Sequence, residues 1–231
     1  MCDPQEPKNQ RSRASLLVQS PTTSIVVDTS YDLRYQLNRH PLQKLDAVLL
    51  THAHSDHVNG IDDIRLLAYQ NNRLIDLYGD QETLNEVDRR WPYLFKDQHG
   101  GVYQPFMQKK LIDRNQKFQI GDVAVQSIEQ DHMTCASLGY RFGNVAYSVD
   151  CVDLNPASLN ALKGIDVWLV DAVAYHKETM TTHANLKRVM QWVDMIRPKI
   201  TYLTVLNTRM DYKTLCDELP PHVRPAYDGL E

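Results

Sequence analysis

The feature that most constrains this chain is the run Thr51-His52-Ala53-His54-Ser55-Asp56-His57, placed directly after the apolar stretch Leu45-Asp46-Ala47-Val48-Leu49-Leu50. Three imidazoles and one carboxylate fall within six residues, just where a buried strand should open into a loop. His52 and His54 are two apart, so in extended chain both rings point to the same side. Asp56 and His57 lie on the next turn, close enough to hold a second ion beside the first. Imidazole nitrogen and carboxylate oxygen are the donors that suit zinc and its borderline neighbours. A fold that accommodates this run must end a core strand at a metal site.

Around it, short apolar β-rich runs alternate with amphipathic helical ones. Strands are expected over residues 24–28, 45–51, 74–78, 167–170 and 200–206. Helices are expected over 31–39, 61–70 and 81–90 and in a short piece after Pro156. Leu186, Val189, Met190, Val193 and Ile196 recur at helical spacing and give one apolar face that stops at Pro198. Hairpins are expected over 117–128, turning at Gly121-Asp122, and over 138–149, turning at Gly143-Asn144. Residues 95–105 read as a loop able to cover a pocket. Two mixed sheets packed face to face, with helices on both flanks, account for this succession.

At 231 residues the chain fits one sizeable core, so residues 1–231 are expected to form a single domain. Its net charge of -4 gives no electrostatic reason to expect nucleic acid as a partner. Lys8, Arg11 and Arg13 are expected to form a solvated segment or an N-terminal contact. The four cysteines lack C-x-x-C spacing and the start has no apolar signal region, which points to a reduced, cytoplasmic setting. No apolar stretch approaches the roughly 20 residues needed to cross a bilayer, so no membrane association is expected.

The T-H-x-H-x-D-H run after an apolar strand resembles the signature of the metallo-β-lactamase superfamily. His132 in Gln130-Asp131-His132, Asp150 in Tyr147-Ser148-Val149-Asp150 and Asp28 in Val26-Val27-Asp28 come in the order that family shows. Cys2-Asp3-Pro4, Gly60-Ile61-Asp62-Asp63, Thr182-His183-Ala184-Asn185-Leu186 and the ending Pro225-Ala226-Tyr227-Asp228-Gly229-Leu230 are similar to the cytoplasmic phosphoribosyl cyclic phosphodiesterase-like branch. The resemblance implies an α+β fold, a four-layer αβ/βα sandwich. Members of the branch begin with a strand and a Gly-rich loop ahead of Cys-Asp-Pro, and that first N-terminal strand is expected to be absent here.

The same resemblance implies a metal-dependent hydrolase acting on a small, cyclic or nucleotide-like phosphodiester. His52, His54 and His132 would hold one ion, sharing Asp150 with a second ion that Asp56 and His57 complete. The ions would be Zn2+, with Mn2+ an alternative that the donor set accepts equally. Asp56 also counts as a catalytic carboxylate, and His183 matches the family's substrate-phosphate histidine. Taken as residues alone, His183 reads more readily as a capping or surface histidine, and Asp56 could cap the helix after it. Asp28 reads as a brace for a histidine N–H rather than a ligand. Cys151, next to Asp150, reads as packing, and Asp62 and Asp63 as residues of a helix first turn. His40, His99, His176 and His222 read as surface or capping residues.

One position departs from the pattern. The late strand of the family ends in Leu-Thr-His, whose histidine completes the second metal site; this chain has Leu203-Thr204-Val205. Valine has no lone pair to offer, so the second ion is expected to bind weakly or not at all. A degenerate metal-binding protein with little turnover is therefore one alternative, and a tRNA 3′-end-processing nuclease another. Relatives in the family often pair, which makes a homodimer an expectation as well.

Overall fold

The computed structural model describes residues 1–97, 100–102, 104–175 and 182–231. His99 and His176, and part of the expected loop over 95–105, lie outside the described residues. The chain divides into two compact units. One comprises Arg13–Arg114 with Phe118–Ala124, the other Met1–Ser12, Asn115–Lys117 and Val125–Glu231.

In the first unit the strands are β1 (Leu16–Gln19), β2 (Ser24–Val27), β3 (Ala47–Leu49), β4 (Ile75–Gly79) and β5 (Met107–Leu111). They form a five-stranded sheet in chain order, with β1 antiparallel to β2 and the remaining pairs parallel. Every residue of β2 and β3 is buried. This is why both read as unbroken apolar runs: a parallel strand covered on both faces has no solvent side on which to alternate. The helices are α1 (Leu33–Arg39), α2 (Ser55–Val58), α3 (Arg65–Gln70) and α4 (Gln81–Arg90), with a 3-10 turn over Ile61–Ile64 before α3. Asp80 caps α4 by accepting from the Thr83 N–H at 2.9 Å, and Leu84 and Val87 carry that helix into a core with Val48, Leu50, Ile64 and Leu77.

The remaining strands are β6 (Lys117–Ile120), β7 (Val123–Asp131), β8 (Ala136–Phe142), β9 (Val145–Ser148), β10 (Val167–Asp171), β11 (Ile200–Thr204) and β12 (Val223–Pro225). They make a seven-stranded sheet in the order β12-β11-β10-β9-β8-β7-β6. The hairpin strands β7, β8 and β9 run antiparallel, whereas β9 to β12 are parallel. Helices α5 (Pro156–Ala161), α6 (Leu186–Ile196) and α7 (Tyr212–Glu218) belong to the second unit. The stripe predicted on α6 is buried through Leu186, Val189, Val193 and Ile196, together with Trp192, against Trp168, Val170 and Leu203.

Helices α1, α4, α5 and α6 and strands β2, β3 and β11 fall within the expected segments, whereas both hairpins and strands β4 and β10 overlap theirs but run past the expected ends, β7 to Asp131, β8 from Ala136, β4 to Gly79 and β10 to Asp171. The strand expected over 45–51 is only Ala47–Leu49, because the backbone turns away to form the histidine loop. Strands β1, β5 and β12 and helix α7 are additions. β1 and β5 are edge strands with exposed positions, so their sequences lack a continuous apolar signal. Met1–Ser12 carries a 3-10 turn and is tied to the second unit. The Cys2 N–H donates to the Thr208 carbonyl at 2.8 Å, Asn9 Nδ2 reaches Asp211 at 2.6 Å, and Arg11 Nε donates to the Ala226 carbonyl at 3.1 Å. Lys8 sits over the rings of Tyr212 and Tyr227, at 4.5 and 4.4 Å from their centroids. Among the described residues no helix is long and apolar enough to cross a membrane.

Candidate metal centre

The chain after β3 stops being a strand at Leu50, and Asp28 shapes the loop beyond it. Asp28 is fully buried and adopts φ 61°, directly past the end of β2. Its Oδ1 accepts from the Thr51 N–H at 2.8 Å, and its Oδ2 from the Thr51 hydroxyl at 2.9 Å. The same Oδ2 lies 2.7 Å from His57 Nδ1. A carboxylate accepts only, so Nδ1 carries the hydrogen and the lone pair is on Nε2, the tautomer a metal ligand needs.

Around this brace the rings cluster. His52 lies with its ring centroid 4.4 Å from those of both His54 and His57. His52 and His57 are buried and His54 is exposed. Arg90 donates from Nη1 to the Ala53 carbonyl at 2.8 Å and holds the backbone between the first two histidines. Gly60 closes the loop: its N–H donates to the Thr29 carbonyl at 2.8 Å, and a Cβ there would lie 1.9 Å from the Ser30 carbonyl oxygen. The position needs glycine because backbone meets backbone.

Asp56 does not cap a helix. It sits in the first turn of α2, whose N-cap residue is His54. Its Oδ2 lies 3.9 Å from His57 Nε2 and 3.2 Å from Arg13 Nη1. Nothing in the sequence marks Arg13 for this role, since the two residues are far apart in the chain.

The second unit carries its own cluster. His132 comes just after β7, and its Nδ1 donates to the Thr182 carbonyl at 2.7 Å, which again places the lone pair on Nε2. That Nε2 lies 3.4 Å from Asp150 Oδ2. His183, just ahead of α6, has its Nε2 3.9 Å from the same oxygen. Its Nδ1 is held at 2.9 Å by Oδ2 of Asp171, the last residue of β10. Asp150, Asp171 and His183 each offer a ligand-type atom within 4.8 Å of the others. Asn185, not His183, caps α6, by accepting from the Arg188 N–H at 2.9 Å.

Asp171 is the member of this group that is missing from the site expected on sequence grounds. Leu169-Val170-Asp171 ends an apolar strand in aspartate, just as Val26-Val27-Asp28 does, so a signal is present. Burial pushes its carboxyl up to about 6, against the hydrogen bond from His183, while the charge of Asp150 adds to the rise. Its Oδ1 is buried and makes no hydrogen bond to the protein. Cys151 is inert beside it: burial, with four aspartates around it, holds the thiol well above its ordinary range, and its sulfur bonds the Asp153 carbonyl.

The backbone at the expected second-site ligand has an unusual shape. Val205 has φ 53°, close to the 61° of Asp28 and the 52° of Asp150. Asp tolerates the left-handed region, whereas a β-branched residue there is strained.

The donor set suits a divalent ion. Nδ1 of each of His57, His132 and His183 is taken by an oxygen, which leaves Nε2 as the atom that can face an ion, and two buried carboxylates, Asp150 and Asp171, sit together. Comparison with known proteins shows the family. A family model, the β-lactamase superfamily domain, matches residues 23–204. The octanoyltransferase of Porphyromonas gingivalis is 29% identical over 234 residues, covering 100% of this chain and 46% of that protein. The ribonuclease Z of Bradyrhizobium diazoefficiens is 27% identical over 144 residues, covering 61% of this chain and 47% of that one. The chain thus spans about half the length of these curated relatives. A crystal structure of a diphosphatase from the PhnP family superposes with a TM-score of 0.89 at 26% identity, over 98% of this chain and 85% of that one. From signature run to superposition, the chain belongs to the metallo-β-lactamase superfamily.

Proposed function

We propose that this chain is a metal-dependent hydrolase of small phosphodiesters, of cyclic or nucleotide-like type. The observation that carries the reading is the pair His132 and Asp150. Their Nε2 and Oδ2 are 3.4 Å apart. That is about the separation of two ligands on one tetrahedral ion with bonds of about 2.0–2.1 Å. Similarity to a diphosphatase of the PhnP family supports phosphate chemistry.

In this reading the metal ligands are His52, His54, Asp56 and His57 of one unit and His132 and Asp150 of the other. The ions, zinc or manganese, acidify water and neutralise charge on phosphate oxygens when bound. The chain's own residues do the rest. Asp28 keeps His57 in one tautomer and one orientation, and Thr182 does so for His132. Asp171 holds Nδ1 of His183, so His183 presents Nε2 to the phosphate, and in its doubly protonated form would give the Nε2 proton to the departing alcohol oxygen while keeping the Nδ1 hydrogen on Asp171.

The test is hydrolysis of bis(p-nitrophenyl) phosphate with added Mn2+ or Zn2+, run beside elemental analysis. Metal-dependent turnover that falls in His52→Ala and in His183→Ala is the expected result. Metal binding without turnover on any phosphodiester would point to the degenerate alternative. Cleavage of a pre-tRNA in preference to small diesters would point to a nuclease, the activity named for the Bradyrhizobium relative.

A further inference from the structure

Asp56 is held by a cation that belongs to the protein. Arg13 Nη1 lies 3.2 Å from Asp56 Oδ2, the oxygen that also lies 3.9 Å from His57 Nε2. Both ends of the Arg13 peptide are fixed. Its N–H donates to Asp32 Oδ2 at 2.8 Å, and its carbonyl accepts from Gln36 Nε2 at 2.8 Å. The side chain therefore starts from a tethered backbone and reaches Asp56 in α2.

We infer that Arg13 is a built-in competitor for the second metal ion, one that sets how many ions the chain holds. The inference rests on the reading of Asp56 and His57 as ligands. An ion shared by these two residues would draw on Asp56 Oδ2, and that oxygen already carries the guanidinium. Two cations on one carboxylate oxygen repel at close range, and arginine cannot relieve the repulsion by losing its proton. With Val205 in place of a neutral ligand, the second position has fewer donors to overcome that repulsion. Arg13 neutralises Asp56 in the singly loaded chain and must release it for a second ion to enter.

The test is a Zn2+ titration of the full chain against a competing chelator, with stoichiometry by elemental analysis, for wild type, Arg13→Gln and Arg13→Lys. Arg13 is largely exposed, so these variants should fold. Arg13→Gln should bind the second ion about tenfold or more tightly, with the first ion unchanged, and Arg13→Lys should stay near wild type. Adding Asp56→Asn to Arg13→Gln should abolish the gain. Unchanged or weaker second-ion binding in Arg13→Gln would overturn the inference, and would make Arg13 a support that orients Asp56. Absence of any bound metal in the wild type would overturn both this inference and the hydrolase reading, whereas a metal-loaded wild type with second-ion binding unchanged in Arg13→Gln would overturn this inference alone.

Discussion

Asp28 and His57, 29 positions apart, share a 2.7 Å hydrogen bond that is buried on both sides. It lets one carboxylate organise the histidine loop and choose which nitrogen of His57 faces outward.

Asp28→Asn separates those two jobs. The amide oxygen can still accept from Thr51, but its NH2 cannot accept from His57 Nδ1, so the ring is driven to the other tautomer. Metal affinity should fall about 10–100-fold while most of the stability survives. Asp28→Ala should in addition cost about 3 kcal/mol or more, because the Thr51 N–H, its hydroxyl and Nδ1 all lose a buried acceptor. Zinc titration and urea unfolding of the two variants check this.

Val205→His should raise metal content towards two ions and increase the phosphodiesterase rate. Val205→Asn offers the control. It relieves the left-handed strain and should stabilise the fold by about 1 kcal/mol without adding a comparable ligand. A rise in metal content in Val205→Asn equal to that in Val205→His would count against the ligand explanation.

Gly60→Ala should cost about 3 kcal/mol and disturb metal binding with it, since the intruding Cβ meets the Ser30 carbonyl and the loop must shift. Thermal unfolding and zinc content measure the two effects together.

Asp122 makes an acid-sensitive clasp. Hydrogen bonds from Ser20 and Thr23, at 2.6 and 2.5 Å, hold its carboxyl down to about 2. A depressed carboxylate contributes stability that is fully present above its unfolded value, near 4, and is lost as pH falls from there towards 2. Asp122→Asn should flatten that limb in a pH series of unfolding midpoints and leave stability above pH 5 lower but parallel to wild type.

Much of the site is legible in the sequence because its residues are consecutive or end apolar strands. His52 to His57 form one run, and Asp28 and Asp150 each come within two residues of a strand end. The illegible part is the set of pairings that tertiary folding alone brings about. Arg13 lies 43 residues from Asp56, and Asp171 lies 12 from His183 across a connection that includes undescribed residues. The short edge strands β1 and β5 escape notice for a different reason. With one side of each open to solvent, burial does not impose a hydrophobic pattern on them.

The left-handed turn at Val205 has a practical consequence. The main chain there has a φ close to that of Asp150, so the backbone already takes the left-handed turn found at one expected ligand position. A saturation library at this single codon, sorted by metal uptake, would map how far one residue separates a weakly loaded protein from a fully loaded one.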